Sequence, residues 1–101
     1  MQCYMTKEII IKDIVSNTTL NDEGVILFKV ISDLLNEGNN VILSLNELEP
    51  MSSSFMNSSF GAIIDNFGID TFKEKIRISD YKPSHAIRIK NYIDRYNEIH
   101  R

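Results

Sequence analysis

The chain contains 101 residues, of which 43% are hydrophobic and 25% are charged, and its formal net charge is −3. This length suits one domain, and the apolar content is too high for a disordered chain. The mild acidity disfavours duplex nucleic acid as a partner, because proteins that bind the phosphate backbone usually carry a basic patch. Basic residues do gather in residues 73–101, but acids such as Asp80 and Glu98 are interleaved with them, which indicates a solvated helix face.

The expected compartment is the cytoplasm. Cys3 is the single cysteine of the chain, so no disulfide can form within it. No apolar run reaches the roughly 18 residues that would cross a membrane. The first residues lack the basic region and the apolar run of a secretory signal peptide. We therefore expect one domain over residues 1–101 that contacts neither a membrane nor nucleic acid.

The first half of the chain predicts a strand, a helix and a second strand. The β-branched residues 8–11 predict the first strand. After a polar loop, Asn21 or Thr19 is the predicted N-cap of a helix that ends before Gly38. The apolar face of this helix consists of Ile26, Leu27, Phe28, Val30, Ile31, Leu34 and Leu35. Residues 41–45 are almost continuously apolar, which is typical of a strand buried on both faces, and together these elements predict a parallel βαβ unit.

The second half repeats the alternation. The serines 52–54 offer an N-cap for a second helix, which Gly68 ends. Its apolar face consists of Met56, Phe60, Ile63, Ile64 and Phe67. Residues 69–75 are interpreted as a short connector that can include a turn of helix, residues 76–79 as a half-buried strand, and Pro83 as the start of a last helix. The core face predicted for that helix consists of Ala86, Ile89, Ile93 and Tyr96.

The order β-α-β-α-β-α predicts an α/β fold. We expect a central, mostly parallel or mixed sheet of about four strands, covered by about three main helices. Residues 1–5 supply the fourth, edge strand in this interpretation.

No recognised catalytic or nucleotide-binding motif is present, so we expect neither an enzyme nor a cofactor. His85 and His100 are too far apart to share one helix face, and no metal site is expected. A Ser-His-Asp arrangement from the serines 52–54, His85 and Asp80 is formally conceivable. However, no G-x-S-x-G sequence surrounds the serines, and solvated polar residues are the simpler interpretation.

The serine cluster at the predicted helix start has two interpretations. The simpler one is that a serine hydroxyl caps the helix. In the other, a phosphorylated serine places about −1.5 to −2 charges in the favourable field of the helix N-terminus, which would be a large switch for a protein-binding face. Met51, Phe55 and Met56 flank the serines and are equally suited to an interface or to the core.

Several short motifs carry a family resemblance. They are Gly24 near the start of the first helix, the Ser-Ser-Ser-Phe stretch from Ser52 to Phe55, the Phe60-Gly61 pair, and Gly68-Ile69 followed by the residues 75–78. Over residues 7–96 the chain resembles the STAS-like family of unknown function DUF4325, and more broadly the STAS domains of anti-anti-sigma factors.

This resemblance implies a bacterial regulatory domain that binds a histidine-kinase-like ATPase, which phosphorylates a serine at the start of the second helix. By alignment the acceptor is Ser53, with Ser52 and Ser54 beside it. Compared with the anti-anti-sigma pattern, Ser52 and Ser44 each replace an aspartate, and Phe55 replaces a glycine. The alternative is a small-ligand or nucleotide-binding domain, since ligands of open α/β sheets bind beyond the carboxyl ends of the strands.

Overall fold

The computed structural model describes residues 5–99 of the chain, with the side chains of residues 5–95. The elements are β1 (Thr6–Ile10), α1 (Ile11–Ile14), α2 (Asn21–Asn36), β2 (Asn40–Ser44), α3 (Ser53–Met56), a π-helical turn (Asn57–Gly61), α4 (Ala62–Phe67), α5 (Ile69–Lys75), β3 (Ile76–Ser79) and α6 (Pro83–Ile99). Because α3, the π-helical turn and α4 follow one another without a break, they form one rod, which we call the central helix (residues 53–67). The described part of the chain is thus an α/β fold of three strands and five helices.

The sheet is parallel throughout the described residues, with the strand order β1-β2-β3. The predicted fourth strand falls mainly on residues 1–4, which lie outside the described residues. Cys3 is one of these residues, and His100 also lies outside the described part of the chain. Met5 precedes β1, and its carbonyl accepts a hydrogen bond from the Asn40 N–H at 2.8 Å. The prediction of a parallel βαβ unit from β1, α2 and β2 is confirmed.

The first strand ends earlier than its apolar run suggested. β1 covers Thr6–Ile10, and Ile11 begins the single turn α1. Ile11 is fully buried, so its apolar side chain serves the core from a helical turn instead of from a strand. β-Branched residues favour strands, but tertiary packing overrides this weak local preference.

The predicted end of α2 is confirmed, whereas its predicted N-cap is wrong. Gly38 has a φ of 87°, and the N–H groups of Gly38 and Asn39 donate to the carbonyls at the end of the helix. At the other end, the N-cap position belongs to Leu20, which has no capping side chain. Instead, the Asn17 side-chain oxygen accepts hydrogen bonds from the backbone N–H groups of Thr19 and Leu20, at 3.1 and 3.0 Å. The Asn17 side chain therefore stabilises the turn before α2 and does not cap the helix.

The central helix and α2 form most of the core on one side of the sheet. The fully buried side chains include Leu27, Ile31, Leu43, Phe55, Phe60 and Ile63. Residues 69–75, interpreted from the sequence as a connector, form the helix α5, which buries Phe72 edge-to-face against Phe60 with ring centroids 5.9 Å apart. Among the described residues, no helix has both the length and the apolar character needed to cross a membrane.

The carboxyl ends of the parallel strands lie at one edge of the sheet, and this edge positions the site. From the end of β2 at Ser44, residues 45–52 lead into the central helix. From the end of β3 at Ser79, residues 80–82 lead into α6, which begins at Pro83 as predicted. The central helix and α6 thus both start near this edge.

Candidate functional site

Each serine of the cluster has a different environment. Ser52 is the N-cap of α3, as the sequence predicted for one of the three: its hydroxyl oxygen accepts a hydrogen bond from the Phe55 N–H at 3.1 Å. Ser53 and Ser54 occupy the first two positions of the helix, and both side chains are exposed. Ser52 is therefore a structural residue, and the two serines that follow it form the accessible surface of the cluster.

The apolar residues beside the serines lie beneath this surface. Met51, Phe55 and Met56 have exposed fractions of 1%, 0% and 2%. Side chains so deeply buried hold the start of the central helix against the core and offer a partner almost no area. Any contact made by residues 51–56 falls mainly on Ser53 and Ser54.

The loop before α2 fixes the segment that leads into the serines. The Ser52 hydroxyl donates to the Thr19 carbonyl at 2.8 Å, and the Ser52 N–H donates to the Thr18 carbonyl at 2.9 Å. In return, the hydroxyl of Thr18, which is buried, donates to the Pro50 carbonyl at 2.8 Å. These reciprocal bonds present Ser53 and Ser54 from a fixed backbone.

Gly24 allows α2 to contact the central helix closely. A Cβ atom at this position would lie 1.8 Å from the Ser58 hydroxyl oxygen and 2.6 Å from the Phe55 carbonyl oxygen. The Ser58 hydroxyl donates to the Asn21 carbonyl at 2.8 Å, which joins the two helices. The Ser59 hydroxyl, which is buried, donates to the Phe55 carbonyl at 2.7 Å. Such side-chain bonds to helix carbonyls accompany the π-helical turn.

At the carboxyl edge of the sheet, Asp80, which directly follows the neighbouring strand β3, bonds to Ser44. The buried Ser44 hydroxyl donates to the Asp80 carboxylate at 2.6 Å. Asp80 follows β3 directly and has a φ of 55°, a left-handed backbone conformation that Asp adopts more readily than most residues. The anti-anti-sigma pattern, as described above, often has an Asp where this chain has Ser44. Here a carboxylate reaches the same edge from the loop before α6.

A cleft of about 580 Å³ separates the start of the central helix from α6. We call it the α6 cleft. Its lining residues are Pro50, Ser53, Met56, Ser84, His85, Ile87, Arg88, Asn91, Tyr92 and Arg95. Ser53 is the only residue of the serine cluster in this lining. The sequence-predicted site and α6 therefore meet along one wall of the cleft.

Two polar contacts bridge the α6 cleft. The Arg88 side chain donates from Nε to the Met51 carbonyl at 2.6 Å. The Tyr92 hydroxyl donates to the Asn57 side-chain oxygen at 2.8 Å. Partial burial, and secondarily the negative charge of Asp65, raises the pKa of Tyr92 to about 12. The Tyr92 hydroxyl therefore keeps the proton that it donates to Asn57 well above physiological pH.

His85 is the least expected residue of the cleft. Its side chain is only 4% exposed, and its Nδ1 atom is buried without a hydrogen-bond partner among the described residues. Leaving a buried polar atom unpaired costs about 1–3 kcal/mol, so a group of this kind calls for an explanation.

The formally conceivable Ser-His-Asp arrangement is not assembled in the described structure. Ser53 and His85 do line the same cleft, but Asp80 accepts from Ser44 and is absent from that lining. No carboxylate bonds to His85 Nδ1, although a catalytic histidine needs such a partner to fix its tautomer. No group of three or more potential metal ligands comes together in the described part of the chain either.

Sequence reasoning missed the contribution of α6 to the site. The basic residues of this helix were interpreted as a solvated face, yet His85, Arg88, Tyr92 and Arg95 all line the cleft. Their spacing of three, four and three residues places them on one helix face. That spacing was visible in the sequence. The sequence did not show that this face of α6 lies across the cleft from Ser53.

Comparison with known proteins identifies a family. The family model described as "STAS-like domain of unknown function (DUF4325)" matches residues 23–86, from the first turn of α2 to the first turn of α6. The resemblance noted from the sequence is thereby confirmed, over a shorter span than expected. No curated protein and no solved structure matches the chain.

Proposed function

Since the chain belongs to the STAS-like family DUF4325, whose function is unknown, we propose that it is a non-enzymatic regulatory module that binds another protein. The proposed partner is an ATPase of the histidine-kinase-like fold, as in the anti-anti-sigma factors that the chain resembles. Phosphorylation of Ser53 is proposed to control this contact.

The observation that carries the proposal is the exposure of Ser53 and Ser54 on a rigid support. Both side chains are exposed, whereas Ser52 caps the helix and the apolar neighbours of the serines are buried. A kinase needs an accessible hydroxyl, and Ser53 and Ser54 offer one. A partner that recognises a preformed surface loses little conformational entropy on binding, which suits a segment fixed by the Thr18 and Thr19 contacts.

The surroundings of Ser53 also fit a protein contact. Ile87, on the facing wall of the α6 cleft, is 62% exposed and is the most exposed large apolar side chain of the described residues. Ser53 and Ile87 line the same cleft and are both exposed, so both are accessible to a partner. A phosphate on Ser53 would add about −1.5 to −2 charges to such a surface, enough to weaken a contact made by an apolar residue.

The small-ligand alternative is supported by a different observation. Ser53 lines a cleft whose volume of about 580 Å³ falls within the usual range for small-molecule sites. Such a ligand would occupy part of the surface proposed for the protein partner, because Ser53 and Ile87 belong to both.

A pull-down from source-cell lysate, read by mass spectrometry, tests the proposed function. The baits are the wild-type chain, Ser53→Asp and the control Asn36→Asp, which adds the same charge at the exposed end of α2. We expect an ATPase of the histidine-kinase-like fold on the wild type and on the control, and at least about tenfold less on Ser53→Asp.

The other outcomes of this experiment separate the two parts of the proposal. Equal capture by all three baits would keep the protein-binding module and remove Ser53 as its control point. Absence of such an ATPase from every bait would contradict the proposed function itself.

A further inference from the structure

The α6 cleft is positively charged although the protein is acidic. Its lining includes Arg88 and Arg95 and contains no aspartate or glutamate, whereas the whole chain has a formal net charge of −3. Charge of one sign concentrated in a concave, partly desolvated site attracts ligands of the opposite sign. The cleft is therefore suited to an anion.

His85 provides a second, independent indication of a ligand. The residue lines the cleft, and its buried Nδ1 lacks a partner among the described residues. Buried polar side-chain atoms in folded proteins nearly always have a hydrogen-bond partner. An imidazole nitrogen can donate to an anionic oxygen or accept from a protonated one, so an oxyanion of either protonation state that reached this covered atom would satisfy it.

The two arginines supply the donor groups that phosphate recognition uses. Arg88 is held by its Nε donor on the Met51 carbonyl, 2.6 Å away, so its guanidinium is oriented before any ligand arrives. Arg95 lines the same wall about two turns further along α6. The planar guanidinium fork matches the oxygens of a phosphate, and two such groups can contact different oxygens.

The remaining walls of the cleft are suited to an organic substituent. Ile87 and the ring of Tyr92 provide apolar surface beside the arginines. The volume of about 580 Å³ far exceeds the space that a phosphate alone would need. We propose that the α6 cleft binds a phosphate monoester through Arg88, Arg95 and His85, with the ester group against the apolar wall.

This site extends beyond the part of the chain that defines the family. Ser53 and His85 lie within the matched residues 23–86, whereas Arg88 and Arg95 follow them. The monoester has two possible sources. One is a small organic phosphate from solution. The other is a phosphate on Ser53, which lines the cleft, and this second source rests on the function proposed above.

The first arm of the test uses the unmodified full chain. Phenyl phosphate is titrated into it while the backbone amide signals are followed by NMR, with the wild type compared with Arg95→Gln and Lys90→Gln. Lys90 is an exposed residue of the same helix that lines another groove and pairs with Asp94, so its substitution removes one positive charge outside the cleft. We expect saturable shifts around Ser53 and residues 84–92, an affinity at least about tenfold lower in Arg95→Gln, and little change in Lys90→Gln.

The second arm uses chains in which phosphoserine is incorporated during translation at residue 53 or at residue 54. Ser54 is the matched control, because it is exposed, adjacent to Ser53 and absent from the cleft lining. If Ser53 is the source, the phosphate pKa measured by ³¹P NMR is lower at residue 53 than at residue 54, and Arg95→Gln removes the difference.

The two arms distinguish between the two sources of the phosphate monoester, and they test this site independently of the proposed function. Saturable binding that depends on Arg95 in the first arm assigns the site to a ligand from solution, and an effect in the second arm alone assigns it to phosphorylated Ser53. If neither arm responds, or if Lys90→Gln weakens binding as much as Arg95→Gln, the phosphate site is wrong. Neither arm contains a protein partner, so failure here leaves the pull-down prediction standing, and failure of the pull-down leaves this site standing.

Discussion

The two sides of the central helix differ in how they are packed. On the α2 side, Gly24 brings the two backbones so close that a single added methyl group would collide with the Phe55 carbonyl, and the Ser58 hydroxyl joins the helices. On the α6 side, the Arg88 and Tyr92 hydrogen bonds span a cleft of about 580 Å³. One side is closed by backbone packing, and the other is bridged by long polar side chains.

This difference separates structural from functional serines. Ser58 and Ser59 face the closed side or the core and bond to backbone carbonyls. Ser53 faces the open side with an exposed hydroxyl. Substitutions on the closed side should therefore change mainly the stability of the fold, whereas substitutions on the open side should change binding at little cost in stability.

The largest effect on stability is expected from Gly24→Ala on the closed side. The new Cβ would meet a backbone oxygen at 2.6 Å, which cannot rotate away. We expect a loss of about 1–3 kcal/mol in the free energy of unfolding, toward the upper end of that range for overpacking. Urea unfolding followed by circular dichroism measures it. Lys29→Ala, at an exposed position of the same helix, should stay within about 0.5 kcal/mol of the wild type.

A double variant sharpens this prediction. Gly24→Ala combined with Ser58→Ala removes the hydroxyl at 1.8 Å but keeps the carbonyl contact at 2.6 Å. The double variant should therefore remain clearly less stable than Ser58→Ala alone. If the double variant were as stable as Ser58→Ala alone, the two helix backbones would not be in close contact.

A smaller effect is expected from Ser52→Ala, at the boundary between the two sides. This change removes the cap on the Phe55 N–H and the hydrogen bond to the Thr19 carbonyl. We expect a loss of about 1–2 kcal/mol by the same unfolding measurement. Ser54→Ala is the matched comparison, since its exposed side chain should contribute less than about 0.5 kcal/mol. Equal losses from both variants would contradict the assignment of Ser52 as the cap.

The smallest effect should come from Tyr92→Phe on the open side, and it depends on pH. The folded chain keeps the Tyr92 proton up to a pKa of about 12, whereas an unperturbed tyrosine releases it near 10.0. Between these values the unfolded state binds fewer protons, so the contribution of Tyr92 to stability is complete below pH 10 and falls as the pH rises toward 12. Wild type should lose stability more steeply than Tyr92→Phe in this window, and parallel curves would contradict the pKa shift.

Much of the fold was predictable because local and tertiary preferences agree. The apolar face of α2, the left-handed Gly38 and the parallel strand β2 follow directly from periodicity and from turn chemistry. Predictions failed where packing overrode local preference. Ile11 has the β-branched character of a strand residue but completes the core from α1. Residues 69–75 are helical over their whole length, beyond the single turn that the sequence allowed, and Phe72 of this helix packs on Phe60.

The site was predictable only in part, for a similar reason. The residue types predict that one of the three serines caps the helix, but not that Ser52 is the cap or that Ser53 and Ser54 are exposed. The sequence contains Gly24 but does not show that a side chain there would meet the Phe55 carbonyl. The α6 cleft depends on two elements that are distant in sequence, and no local signal places His85 opposite Ser53.

Hydrogen exchange on the full chain, alone and bound to the captured ATPase, tests most directly whether the open side is the functional surface. We expect exchange to slow in residues 50–56 and in the first turns of α6, with no change in residues 29–36 of α2. Slowing confined to α2, or unchanged exchange in residues 50–56, would contradict the account.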